Sequence, residues 1–205
     1  MIINNLNKYR IILASRSPRR KQLLRDLGLK FDVIIKEYPE TYPENLKGEE
    51  IAVYVAYQKA KQFENKIAEN EIVITADTIV WCNNRVLGKP VSADDAKNMI
   101  REISGNTHEV ITGVCLFSSN RNKTFAVSTK VTFDELTDEE ITHYVVKFKP
   151  YDKAGAYGIQ EWIGIAGCSH IEGSYFNVVG LPVQRVYKEL LGFIMQPGKS
   201  DKKRM

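Results

Sequence analysis

Ile11-Ile12-Leu13-Ala14-Ser15-Arg16-Ser17-Pro18-Arg19-Arg20 is the stretch on which the reading of this chain turns. An apolar, β-rich run breaks there into serine, proline and three arginines, just before a helical pattern begins at Lys21. Ala14 and Ser15 end the run without bulk, Ser17 is a favoured N-cap, and Pro18 suits the first helical position, where a missing N–H costs nothing. Leu23, Leu24 and Leu27 give the helix an apolar stripe, and Gly28 closes it. A helix start offers free N–H groups and a positive dipole end, both of which attract phosphate. Arg16, Arg19 and Arg20 crowd that same end, where helix stability alone would favour Asp or Glu. An anionic ligand resolves the conflict; the alternative is a solvated basic face shared with Lys21 and Arg25.

Working outward, 205 residues at 43% hydrophobic suffice for one sizeable core, or for a core divided by a cleft into two lobes. The net charge is +4, of which Lys199, Lys202, Lys203 and Arg204 against Asp201 supply +3. The remainder is nearly neutral, which argues against a broad nucleic-acid surface and for a local anion pocket. Cys82, Cys115 and Cys168 are odd in number and far apart, so neither a disulfide framework nor a zinc site is indicated. No apolar run approaches membrane-spanning length and Met1 to Arg10 is too polar for a signal peptide, so the expectation is a cytoplasmic protein. The expected organisation is a single domain over residues 1–195 and a basic, disordered tail over 196–205.

Along the chain, Phe31 to Ile35 reads as a short strand, followed by a loop carrying Glu37 and Glu40 between prolines. From Gly48 to Ile67 a helix is predicted, with Ile51, Val55, Phe63 and Ile67 recurring every four residues and Lys59 filling the missing place. A lysine inside an apolar stripe either snorkels or reaches a buried anion. Glu71 to Trp81 is a nearly continuous apolar run, typical of a strand buried on both faces, and Asp77 interrupts it. Such a carboxylate needs a partner, a hydrogen-bond network or a metal. Asn83-Asn84 predicts a hairpin turn leading to Gly88-Lys89-Pro90, and Ser92 caps a helix that Gly105 ends. Val110–Phe117 and Phe125–Phe133 read as antiparallel strands, Thr137 opens a capped helix, and a last helix runs from Pro182 to about Phe193. Between them Asp152-Lys153-Ala154-Gly155-Ala156-Tyr157-Gly158-Ile159-Gln160 has the small residues of a loop that approaches a ligand. His108, His143 and His170 are isolated, so no triad or histidine metal cluster is indicated.

The Ser15–Arg20 motif, Lys59, Ala76-Asp77-Thr78, Gly88-Lys89-Pro90 and the Asp152–Gln160 loop together resemble the Maf family of nucleoside triphosphate pyrophosphatases. The resemblance runs from about Arg10 to Leu191. It implies an α/β fold with a mixed twisted sheet, flanking helices and two lobes around a central cleft, similar to inosine triphosphate pyrophosphatases, and a homodimer. It further implies that Ser15, Arg19 and Arg20 contact substrate, that Lys59 and Lys89 are the two cleft lysines, and that Asp77 accepts a proton. Glu40 aligns with the carboxylate that joins Asp77 at a Mg²⁺ (or Mn²⁺) site. The family usually carries Asp-Glu there whereas this chain has Pro39-Glu40, and Glu37 is a possible substitute.

Within the family, the branch acting on dTTP and UTP resembles this chain at Arg20, Thr78 and Gln160, and a glutamine amide offers both donor and acceptor to a uracil or thymine edge. The implied reaction is hydrolysis to nucleoside monophosphate and pyrophosphate, with no nucleic-acid or membrane partner. Alternatives are modified purine triphosphates such as methylated GTP as substrates, a nucleotide-binding regulator of cell division, and nucleic-acid binding through the basic tail.

Overall fold

The computed structural model describes residues 6–195. The strands are β1 (Arg10–Leu13), β2 (Asp32–Val33), β3 (Glu71–Cys82), β4 (Arg85–Leu87), β5 (Thr107–Phe117), β6 (Asn122–Phe133) and β7 (Cys168–Glu172). They form a 7-stranded mixed sheet in the order β2-β1-β3-β5-β6-β7, with β4 beside β3. β1 is parallel to β2 and β3, and the other pairings are antiparallel. The helices are α1 (Pro18–Asp26), α2 (Glu49–Lys61), α3 (Ala93–Ile103), α4 (Asp138–Phe148), α5 (Trp162–Gly167), α6 (Tyr175–Val179) and α7 (Val183–Met195).

The two-residue alternation of β3 assigns its side chains to two layers. Val73 and Ile79 face α2, packing in clusters with Ala56 and Ala60 and with Ile51 and Ala52 respectively. Ile72, Ile74, Ala76 and Val80 face the larger core, which includes Leu24, Ile100, Tyr144 and Leu190. Asp77 therefore belongs to the α2 side and Thr78 to the other. α2 lies unusually close to the sheet because Gly113, the register partner of Asp77, has no side chain. A Cβ there would stand 2.2 Å from the Ala52 carbonyl.

β1 and β4 share one edge of β3. β1 pairs with Glu71 to Ile74 and β4 with Val80 to Cys82, so Thr75 to Ile79 form a gap between them. The candidate site residues named from the sequence gather at that gap.

The strand–turn–helix at the opening motif forms as predicted: Ser17 accepts from the Arg20 N–H, Pro18 is the first helical residue, and Gly28 has a φ of +78°. Three differences are physical. α2 stops at Lys61, not Ile67, because the chain turns through Asn65 at a φ of +58°; Phe63 stays buried by folding back. β2 keeps only two residues of the expected Phe31–Ile35 strand, since Ile34 makes a single backbone bond to Leu13 before the chain departs toward its prolines. α5 and α6 span 6 and 5 residues, too short for a helical period to emerge from the sequence, and the 5 residues of β7 have no apolar face to alternate.

Cys82, Cys115 and Cys168 are free thiols, and burial pushes Cys115 up to about 12. The basic tail after Met195, expected to be disordered, and residues 1–5 lie outside the described residues. No helix among the described residues is long and apolar enough to cross a membrane.

Candidate active site

An open cleft of about 1160 Å³ lies over the gap in the β3 edge. Its walls are the start of α1, the loop carrying Glu37 and Glu40, Lys59 of α2, the centre of β3, Gly88-Lys89 after β4, and the loop from Asp152 to Glu161. All the residues singled out in the sequence line this one cleft: Ser15, Arg19, Arg20, Glu40, Lys59, Asp77, Thr78, Lys89 and Gln160.

The arginines at the α1 start divide into different tasks. Arg20 turns inward: its Nη1 donates to the Ala76 carbonyl at 2.9 Å, its Nη2 to Thr78 Oγ1 at 2.9 Å and its Nε to the Gly180 carbonyl at 2.8 Å. Ala76 lies in the gap where β1 has ended and β4 has not begun, so the guanidinium occupies the place of the absent strand. Burial lowers the Arg20 pKa from its ordinary value, while the charges of Asp77 and Glu40 oppose that. Ser15 is buried, and its Oγ accepts from the Ser17 N–H at 3.2 Å and lies 3.5 Å from Arg20 Nη1. Arg19 crosses to Asp152 at 3.3 Å, and Arg16 pairs in solvent with Glu37.

On the opposite wall, Lys59 reaches an acid rather than snorkelling. Its Nζ lies 2.7 Å from Asp77 Oδ1 and 2.7 Å from Glu40 Oε1, and Lys89 approaches Glu40 Oε2 at 3.1 Å. Asp77 is only 9% exposed. Burial raises the Glu40 pKa, but the hydrogen bonds and charges of Lys59 and Lys89 outweigh it and hold the carboxyl down at about 2. Of the two loop acids, it is Glu40 that meets the lysines; Glu37 points to Arg16. The site thus alternates cations and carboxylates, an arrangement able to clasp a triphosphate and take up a proton beside it.

Glu40 and Asp77 share one ammonium, which places two hard oxygen donors together. Mg²⁺ is commonly held by one or two carboxylates together with substrate phosphates and water, and this donor set fits that habit. Among the described residues no group of three or more His, Cys, Asp or Glu side chains stands ready as an all-protein cage.

Thr78 Oγ1 accepts from Arg20 and shares a 2.9 Å hydrogen bond with Thr112 Oγ1. Gln160 is exposed at the cleft wall, on the loop that follows a three-residue 3₁₀ turn at Ala154–Ala156. That turn is tied to the segment carrying Lys89, since the Gly155 N–H donates to the Gly88 carbonyl at 3.0 Å. The histidines stand apart from this chemistry. His108 is buried against Tyr157, with Nε2 and Oη 2.7 Å apart, and burial lowers its pKa to about 4. His143 packs edge-on to Trp162.

Sequence reasoning passed over the Gly180 carbonyl, Tyr144 and Glu161. The first is backbone and leaves no side-chain signal. Tyr144 sits in the apolar stripe of α4, where only its hydroxyl, which needs a partner when buried, hints at more.

The Maf-like protein family model matches residues 10–193. The dTTP/UTP pyrophosphatase of Phocaeicola vulgatus is 55% identical over 190 residues, covering 92% of this chain and 98% of its own. That of Flavobacterium johnsoniae is 51% identical over 190 residues, covering 93% and 98%. A HAM1 protein from Coxiella burnetii shows a partial structural likeness, with a TM-score of 0.39 and 17% identity over 61% of this chain and 73% of that one. With the family motifs gathered on one cleft and the match spanning nearly every described residue, the chain belongs to the Maf family.

Proposed function

We propose that this chain hydrolyses dTTP and UTP to the nucleoside monophosphate and pyrophosphate. The observation that carries the reading is the convergence of Lys59 Nζ on Asp77 and Glu40, 2.7 Å from each, across one cleft from the arginine-rich start of α1. The names borne by its relatives support the choice of pyrimidine nucleotides.

The chemistry follows from these residues. Asp77 accepts a proton from water as the water oxygen bonds to the α-phosphorus, and the bond from that phosphorus to the bridging oxygen of the β-phosphate breaks. The departing pyrophosphate carries the extra negative charge, and Arg19, Lys59 and Lys89 stabilise it. Ser15 and the α1 N-terminus hold phosphate oxygens, while Gln160 meets the base edge. Glu40 and Asp77 would hold Mg²⁺ or Mn²⁺, which when bound neutralises triphosphate charge. The active protein is expected to be a homodimer.

A nucleotide panel with pyrophosphate release as readout tests this. UTP and dTTP should be preferred over GTP, methylated GTP, ATP and CTP. A preference for the guanine nucleotides would overturn the substrate choice, and tight UTP binding without pyrophosphate release would replace catalysis with a regulatory role.

A further inference from the structure

Within the loop that carries Gln160, on the same cleft wall, lies a second set of charged groups that the hydrolysis itself does not use. Lys153, with a side chain only 10% exposed, places Nζ 2.7 Å from Asp152 Oδ1 and 3.0 Å from Glu161 Oε1. The other Glu161 oxygen, Oε2, accepts from the Tyr144 hydroxyl, and that hydroxyl accepts in turn from the Gly158 N–H at 3.0 Å. Tyr144 is fully buried and stacked on Phe148, so this anchor is rigid. Burial first, and Glu161 second, push its phenol well above the ordinary range, which keeps it a donor.

Glu161 is folded back over Gly158 so tightly that a Cβ at Gly158 would lie 2.8 Å from the Glu161 carboxyl carbon. The Glu161 N–H also donates to the Gly158 carbonyl at 2.9 Å, closing a turn whose outer residues are Ile159 and Gln160. Gln160 is therefore held between two residues locked by the same partly buried network. The network continues toward the phosphate seat through Asp152, which meets Arg19, and through the Gly155–Gly88 backbone bond beside Lys89. It thus spans the interval between the groups that hold phosphate and the group that reads the base.

We propose that Glu161 is a positioning residue which, through Lys153 and Tyr144, fixes Gln160 at the distance from the phosphate seat that suits a pyrimidine and excludes a purine. This rests on the pyrophosphatase reading above. A purine ring is larger, so admitting it with the triphosphate still seated requires Gln160 to retreat, and retreat breaks the Glu161 contacts. Hydrogen bonds to a charged group resist such movement more strongly than neutral ones, and those of Glu161 are partly shielded from water.

The test compares kcat/KM for UTP and GTP in the wild type, Glu161→Gln and Tyr144→Phe, with thermal melting to confirm folding. The expected result is a UTP-to-GTP ratio lowered roughly 10–100-fold, the range set by losing one charge-assisted hydrogen bond. The change should appear as a raised KM for UTP and improved use of GTP, with kcat for UTP nearly kept. In a Gln160→Ala background, Glu161→Gln should cause no further loss of selectivity, because it acts through Gln160. Should Glu161→Gln fail to fold, Tyr144→Phe, which keeps the buried ring, decides alone. An unchanged ratio in folded variants, or an equal fall in kcat on every nucleotide, overturns the inference while leaving the pyrophosphatase reading intact. A wild type that releases no pyrophosphate from any triphosphate overturns that reading and this one with it.

Discussion

Lys59 and Asp77 meet at 2.7 Å from a helix and a strand that owe their closeness to a glycine. Asp77 is the register partner of Gly113, and it is over Gly113 that the backbone of α2 descends onto the sheet. The pair is two-thirds of a triad completed by Glu40, so one ammonium links the proposed proton acceptor to the proposed metal-binding acid.

Asp77→Asn keeps the shape and a hydrogen-bond acceptor for Lys59 while removing the base. A positioned general base is worth about 10²–10⁴-fold, so at saturating Mg²⁺ turnover should fall by roughly that factor with nucleotide affinity little changed. Pyrophosphate release and calorimetric titration with UTP measure the two quantities. Turnover equal to wild type would remove Asp77 from the catalytic role.

Gly113→Ala should act at a distance. The added methyl would overlap the Ala52 carbonyl at 2.2 Å, and backbone on both sides leaves little room to give. Overpacking of this kind costs about 1–3 kcal/mol, several degrees of melting temperature for a chain of this size. Activity should fall as well, because lifting α2 carries Lys59 away from Asp77. Melting by circular dichroism, alongside an activity assay well below the melting point, separates the two effects.

How much of this was legible beforehand depended on the range of the signal. Asp77 and Lys59 each stood out alone, one as an acid in a buried strand and the other as a cation in an apolar stripe, because local periodicity exposes a residue that breaks it. Their contact was not legible, since it depends on Gly113, a residue some 36 positions beyond Asp77 with no periodicity of its own. Arg20 shows the same limit. Its place beside Ser17 and Pro18 led to the expectation of a phosphate contact, and its guanidinium serves the unpaired Ala76 carbonyl, a need created only when β1 ends and β4 begins on the same edge. The short α5 and α6 went unread because five or six residues do not complete enough turns to show a face, and β7 because its five half-buried or exposed residues carry no apolar alternation.

Arg20→Lys should therefore damage stability more than Arg19→Lys. An ammonium cannot reach the Ala76 and Gly180 carbonyls and Thr78 Oγ1 together, and each buried acceptor left unpaired costs about 1–3 kcal/mol. Arg19 has only its partly exposed contact with Asp152 to lose. Chemical denaturation of the two variants is the comparison. Equal midpoints would mean that Arg20 is held for substrate alone.

Glu40 gives the site an acid limit. Its carboxyl is lowered from 4.5 to about 2, so the folded state binds the proton less readily than the unfolded chain does. The sign follows directly: the pairing with Lys59 and Lys89 contributes stability that is complete above pH 4.5 and is lost as the pH falls toward 2. Because Glu40 is half exposed, the contribution should be no more than about 1 kcal/mol. Glu40→Gln should accordingly lower the melting temperature slightly at pH 6 and flatten its decline between pH 4.5 and pH 3. The same substitution removes one of the two carboxylates offered to the divalent ion, so the Mg²⁺ concentration for half-maximal activity should rise about tenfold or more, while chelation of the metal with EDTA should stop pyrophosphate release without unfolding the protein. A Mg²⁺ dependence identical to wild type would place the ion's second protein ligand elsewhere.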